Sequence, residues 1–419
     1  MSTKKVIKFA AFFIVMLAMI TPVWAQGQAA KANPSEYKLG FMTSFSGQFA
    51  PVAETQRMGV LLAVDEVNKR GGLDMPWGKV KVSVLQKDDE MKLDVGARRL
   101  RELRDAKIDA IVGAVWNPMA GLINEQSFED PIPYLSSAVP ALETFEKGNS
   151  ATGTFSVAFT PWSIGYLAGS VIRNQLKADT IYWVERTDSW GIVMKQGLDA
   201  ALKEFGGRVI GKAEYPAGNV DFSAAINEAI RMKPDVFLAS MFSGDAIALF
   251  KQAYDMGLYN VTIPFNAFIT NVVGMGIPSG ARESLYGLSY YYWNLEGFEN
   301  AELAAKAKAY TDAHMAMFNE APDAYGTIAY TAAQMILSAV EEAGTFDVEA
   351  VSKVIGSKTF DTVKGPSAFR EDHQLVGDYL VFVVKGKPDS KAVNKFDVFS
   401  VEGYFGGEKA LPPLSMLGF

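Results

Sequence analysis

Short stretches of this sequence combine aromatic rings with hydroxyls and amides: Phe45 and Ser46, Trp116 and Asn117, Ser136, Ser137 and Ala138, Trp190, Phe242, then Asn266 and Phe268. Such residues make no covalent chemistry by themselves. Hydroxyls, amides and bare helix N-termini donate hydrogen bonds, while rings build a low-dielectric wall, so together they suit a small organic molecule with one polar end and an apolar body. Taken singly, Phe45, Ser46 and Phe268 are as well explained by packing or helix capping. Trp116 and Trp190 are bulkier and harder to account for at the ends of strands. No catalytic set stands beside them. There is no G-x-S-x-G nucleophile elbow and no G-x-x-x-x-G-K-[ST] phosphate loop, and the turn after the first strand, 43–49, holds one glycine. The stretch 274–280 has three glycines, but Pro278 interrupts it, so it reads as a surface loop. Carboxylate runs such as Asp88, Asp89 and Glu90 have no histidine near them and read as solvated turns.

The composition narrows the function further. The chain has 419 residues, 40 Lys plus Arg against 47 Asp plus Glu, and no cysteine. An acidic balance disfavours nucleic acid, which is bound by clustered positive charge. Without cysteine there are no disulfides, zinc ribbons, iron–sulfur clusters or thiol nucleophiles. His314 and His373 are the only imidazoles, so no metal site and no cofactor are expected. The length calls for two domains, because a single core rarely grows past about 250–300 residues.

The elements that must position these residues alternate. Lys4, Lys5 and Lys8 precede an apolar run over 9–20 and the segment 21–25, which ends at Ala25. This is the three-part pattern of a cleaved secretory signal, too short to span a bilayer. Its removal takes three positive charges, from −7 to −10. Residues 26–35 read as a polar leader. Strand 37–42, helix 52–70 ending at Gly71 and Gly72, strand 80–84, helix 93–106, strand 108–115, helix 118–128 and strand 132–136 form a first α/β unit. After Pro161 the alternation restarts: helix 164–176, strand 180–185, helix 190–205, strand 208–215, a helix over 222–232 capped by Asp221, strand 236–240, helix 246–256 and strand 261–265. Helices over 301–318 and 325–343 follow the aromatic run Tyr290 to Trp293, and the chain is read as returning there to the first unit. In such sheets ligands sit beyond the carboxyl ends of the strands, where the residues above fall. The fold expected is α/β, two doubly wound parallel-sheet lobes.

Six segments make the reading specific: 40–47 (GFMTSFSG), 63–72 (AVDEVNKRGG), 109–113 (DAIVG), 131–136 (PIPYLS), 220–223 (VDFS) and 364–366 (KGP). In this order they resemble the periplasmic leucine/isoleucine/valine-binding protein family. The resemblance implies a type I periplasmic binding protein with three crossovers, near 157–160, 290–293 and 376–379. Lobe one would then be 36–158 and 294–376, and lobe two 159–293 and 377–419. It also implies a monomer that closes on a small-molecule ligand and delivers it to the membrane permease of an ABC transporter, without enzymatic activity. In the family an amino-acid carboxylate is held on lobe one, where Asn117 and 136–140 match, and its ammonium by an acid on lobe two. Trp190 and Phe242 match ligand-facing tyrosines, Val52 replaces an aromatic residue, and no carboxylate stands at Asn266 or Ala267. An unpaired buried ammonium costs several kcal/mol. An aromatic or aliphatic carboxylate, an amide or a related neutral compound is therefore expected, with Asp245 or Glu185 as possible substitutes for the acid. A branched-chain or other amino acid, or a sensor role for the same fold, remains an alternative.

Overall fold

The computed structural model of the chain describes residues 33–137 and 141–419. The signal segment 1–25, most of the leader and Ala138 lie outside these residues.

Strands whose side chains are buried on both faces need helices on both sides. The first sheet takes the order β2-β3-β1-β4-β5-β6: β1 (Glu36–Thr43), β2 (Leu73–Met75), β3 (Gly78–Asp88), β4 (Ala110–Gly113), β5 (Tyr134–Ser136) and β6 (Thr154–Ser156). Strands β3, β1, β4, β5 and β6 are parallel, and β4 is buried along its whole length. The second sheet contains β7 (Thr180–Arg186), β8 (Arg208–Tyr215), β9 (Val236–Ala239), β10 (Ile263–Asn266), β11 (Tyr286–Ser289), β15 (Val381–Gly386) and β16 (Phe399–Phe405). Its order is β16-β15-β11-β10-β9-β7-β8. The parallel expectation holds for the sheet interiors, but β2, β15 and β16 add antiparallel edges. Antiparallel neighbours can be joined by a tight turn, whereas parallel ones need a crossover. A third, small sheet, β12 (Phe360–Thr362), β13 (Gly365–Phe369) and β14 (Leu375–Gly377), was not foreseen.

The helix Ala50–Lys69 carries Pro51 in its first turn and ends where Gly71 and Gly72 take positive φ, their amides bonding back to Asn68 and Val67. Its partner, Ala324–Ala343, is rich in small residues and buried nearly all round. A Cβ on Gly59 would lie 2.0 Å from the Gly326 carbonyl oxygen, so the two backbones cross in direct contact. This crossing fixes the returning chain on the first sheet. The stretch 274–280, expected as a loop, is instead the end of helix Asn271–Gly276 and the start of Ser279–Arg282. The Thr270 hydroxyl caps the former, and Gly274 lies against the Phe399 ring. Asp221 accepts from the Ser223 amide at 3.0 Å but stands one residue before the N-cap Phe222 of the helix Ser223–Met232 that it was expected to cap.

Three crossovers connect the two lobes. The second runs through Tyr290, Tyr291 and Tyr292, all buried. Lys364 ties it to the third: its Nζ donates to Tyr290 O at 2.6 Å and to Leu380 O at 2.5 Å, and lies 3.5 Å from the Tyr290 ring centre. Leu417 of the C-terminal tail is buried against Leu142, Phe145, Trp162 and Val193, and its carbonyl accepts from the Lys147 amide. The tail therefore packs at the first crossover.

Two outcomes follow from this packing. Gly59→Ala should lower the unfolding free energy by about 1–3 kcal/mol, because overpacking forces the helices apart; an unchanged urea midpoint would contradict the crossing. Burial holds the Lys364 pKa well below the ordinary lysine range. The unfolded chain therefore binds that proton more readily, and Lys364 makes stability rise with pH up to about 10.4. Wild-type stability should rise relative to Lys364→Met from pH 7 to pH 10 in denaturant titrations, and a pH-independent difference would contradict it.

Candidate functional site

Gln56 organises the lobe-one side of the cleft. It is fully buried and accepts from Thr43 Oγ1 at 2.6 Å, while its Nε2 donates to Ser137 O at 2.9 Å, Ser137 Oγ at 3.1 Å and, more loosely, Ala114 O at 3.4 Å. One amide thus pins the turns after β1, β4 and β5. A second set of bonds shapes the turn after β1. Asp88 accepts from the Phe45 amide and the Ser46 hydroxyl, and Asp89 accepts from the Ser44 hydroxyl at 2.6 Å. The carboxylates read as solvated thus include a buried one: Asp89 is enclosed, and burial raises its pKa.

Each sheet reverses its winding beside its first strand, at β1/β4 in one and at β7/β9 in the other. Ligands collect outside the strand ends at such points. A cavity of about 150 Å³ lies there, lined by Gln48, Phe49, Met91 and Val115 to Pro118 from one lobe, by Arg186, Asp188, Ser189, Trp190, Ala217 and Phe242 from the other, and by Tyr325 at the start of the returning helix. The lobes touch across it. The Phe49 and Phe242 rings are 5.7 Å apart, and Ser243 Oγ donates to Gln48 O at 2.9 Å. Ser243 holds this bond from a positive φ of 54°, a conformation that costs about 1–3 kcal/mol. Behind the cavity Trp190, Phe242, Phe268 and Tyr325 pack ring on ring, and the Trp190 indole donates to Ser240 O. Asp323, buried with its pKa raised by that burial, caps the returning helix and also accepts from the Val272 amide of lobe two.

The structure brings Trp116, Asn117, Trp190 and Phe242 together at this cavity. Among the described residues, the others singled out in the sequence do not line it. Phe45 packs edge-on against Phe41, and Ser46 is exposed on Asp88. Ser136 is buried at the end of β5, and Ser137 is engaged by Gln56. Asn266 is buried, its amide donating to Phe268 O, and the Phe268 ring forms the layer behind the wall. Strand-end position alone does not separate a lining side chain from one that holds the turn. The two alternative acids are also engaged elsewhere: Asp245 accepts from the Gly218 amide, and Glu185 accepts from the Trp183 indole and pairs with Lys212.

Arg186, Asp188 and Tyr325 escaped the sequence reading. Arg186 ends β7 and Asp188 lies two residues beyond it, so the rule that found Trp190 would have found them had charge been weighed beside aromaticity. Tyr325 reaches the cavity only through the returning helix, and no local signal announces it.

Residues 36–391 match the family described as periplasmic binding protein, and the chain belongs to it. A Brucella abortus (strain 2308) protein, Leu/Ile/Val-binding protein homolog 7, is 22% identical over 352 residues, 81% of this chain and 85% of that one. Among solved structures, the amino acid ABC transporter substrate-binding protein from Pseudomonas fluorescens Pf-5 superposes with a TM-score of 0.80 at 20% identity, covering 91% of this chain and 98% of that one. An R. palustris ABC transporter solute-binding protein in complex with benzoate gives 0.75 at 19%, covering 89% and 97%. These likenesses agree with the type I periplasmic binding fold. Among the described residues no helix is long and apolar enough to cross a membrane.

Gln56→Leu keeps the bulk of the side chain and removes its bonds. It should destabilise the protein by about 1–3 kcal/mol for each buried partner left unpaired and speed amide hydrogen exchange near 114–117; normal exchange in a stable variant would contradict the organising role.

Proposed function

We propose that this protein is the periplasmic solute-binding component of an ABC importer of the branched-chain amino acid type. In this reading the signal segment is cleaved, and the mature chain works as a monomer without catalysis. Residues 36–158 with 294–376 form one lobe, and 159–293 with 377–419 form the other. The solute enters between open lobes, contacts both walls and so favours the closed shape, which docks on the membrane permease.

The observation that carries this reading is a cavity walled from both lobes at the two winding reversals. Its size supports a small solute, since an apolar cavity of about 150 Å³ accommodates one benzene ring. Trp116, Trp190 and Phe242 would hold an apolar or aromatic body, and Asn117 would meet a carboxylate or amide end. The missing acid at Asn266 and Ala267 weighs against the family's usual zwitterion recognition.

A thermal-shift series with the mature protein against aromatic acids, short-chain acids, amides and amino acids tests this. At a hundredfold excess over Kd a true ligand stabilises by about 2.7 kcal/mol and raises the melting temperature. Trp190→Ala should lose most of that shift while remaining folded. Failure of every compound class to move the transition would contradict the reading.

A further inference from the structure

The lobe-two wall carries a buried positive charge that the family resemblance does not explain. Arg186 is 5% exposed at the end of β7, yet it lines the cavity. Its Nη2 pairs with Asp188, while its Nε has no hydrogen-bond partner among the described residues. A buried guanidinium with an unused N–H is costly unless something fills that place. Asp188 engages Nη2 with one oxygen and caps the helix Ser189–Phe205 through the Gly191 amide with the other, so neither oxygen serves Nε. Asp245, which senses the charge of Arg186, is turned to Gly218 and has its pKa raised by burial. Two helices begin at the same cavity: Ser189–Phe205, and Asn117–Glu129, whose N-cap Trp116 offers no side-chain bond to the free amides. Their dipoles add positive potential from opposite walls.

Resting on the solute-binding reading above, we infer that Arg186 is the specificity-determining residue of the site and that the solute is a flat monocarboxylate of about one ring. Its carboxylate takes the free Arg186 Nε–H with Asn117 on the facing wall, and its body lies among Trp116, Trp190, Phe242 and Tyr325. The polarity is thus the reverse of ammonium recognition on lobe two. A zwitterionic amino acid would bring its cation toward Arg186 and two helix N-termini.

Calorimetric titration of the mature protein with benzoate, benzamide and leucine tests the assignment. Benzoate should bind more tightly than either of the others. Arg186→Gln should weaken benzoate by at least about tenfold, the loss expected for a charge-assisted bond, and change benzamide little. Asp188→Asn keeps a capping oxygen, removes the competing charge and should tighten benzoate, which decides the matter even if the Arg186 variant fails to fold. Equal benzoate affinity in wild type and Arg186→Gln, weaker or unchanged affinity in Asp188→Asn, or a preference for leucine or benzamide would overturn the role of Arg186 and leave the solute-binding reading standing. If none of the three probes nor any other small acid, amide or amino acid binds the wild type, the solute-binding reading fails with it.

Discussion

The contact between Phe49 and Phe242 joins surfaces that belong to different sheets, and the site exists only while it is made. The bond from Ser243 to Gln48 and the Asp323 carboxylate bonded to Val272 repeat the same constraint at two other points. The Tyr325 ring packs on Phe242 and Phe268 across the same gap, and Ser243 makes its bond from a strained backbone conformation. Where a closed state lies within a few kcal/mol of an open one, a bound molecule can decide the population. The helix crossing at Gly59 and Gly326 works differently. It is internal to one lobe, tolerates no added atom and keeps Tyr325 at the cavity whatever the lobes do.

The hinge separates these two kinds of packing. Lys364 spans two of the three crossovers with its two carbonyl bonds, each taking one N–H of its amine. The tyrosine rings of the second crossover are themselves packed, Tyr290 on Phe159, Tyr291 on Tyr310 and Tyr292 on Phe399, so this crossover is not a free linker. At the cleft, Arg186 Nε is left with a bond to make.

Much of the fold was legible in the sequence because its periodicities are local. Strand Arg208–Tyr215 and helix Ala301–Phe318 fall where the pattern put them, and the Gly71-Gly72 stop is where the first helix ends. The small third sheet was not, since strands of three to five residues give no period to count. At the site, Trp116, Asn117, Trp190 and Phe242 were found by strand-end position and now share one cavity. Ser137 and Asn266 occupy equivalent positions but are engaged by Gln56 and by Phe268, a difference set by partners 81 residues away in one case and two in the other. Gln56 could not be read as a keystone, because a glutamine inside an amphipathic helix has no local mark of what it will bond.

The most direct test of closure uses the absence of native cysteine. Leu93→Cys and Val220→Cys introduce exposed thiols on opposite lobes, each near cavity-lining residues, and the distance between spin labels attached there reports how far the lobes stand apart. The account predicts a long, broad distribution without solute that collapses to a shorter, narrow one with saturating benzoate or another binding acid. The same distribution with and without a bound solute would contradict it.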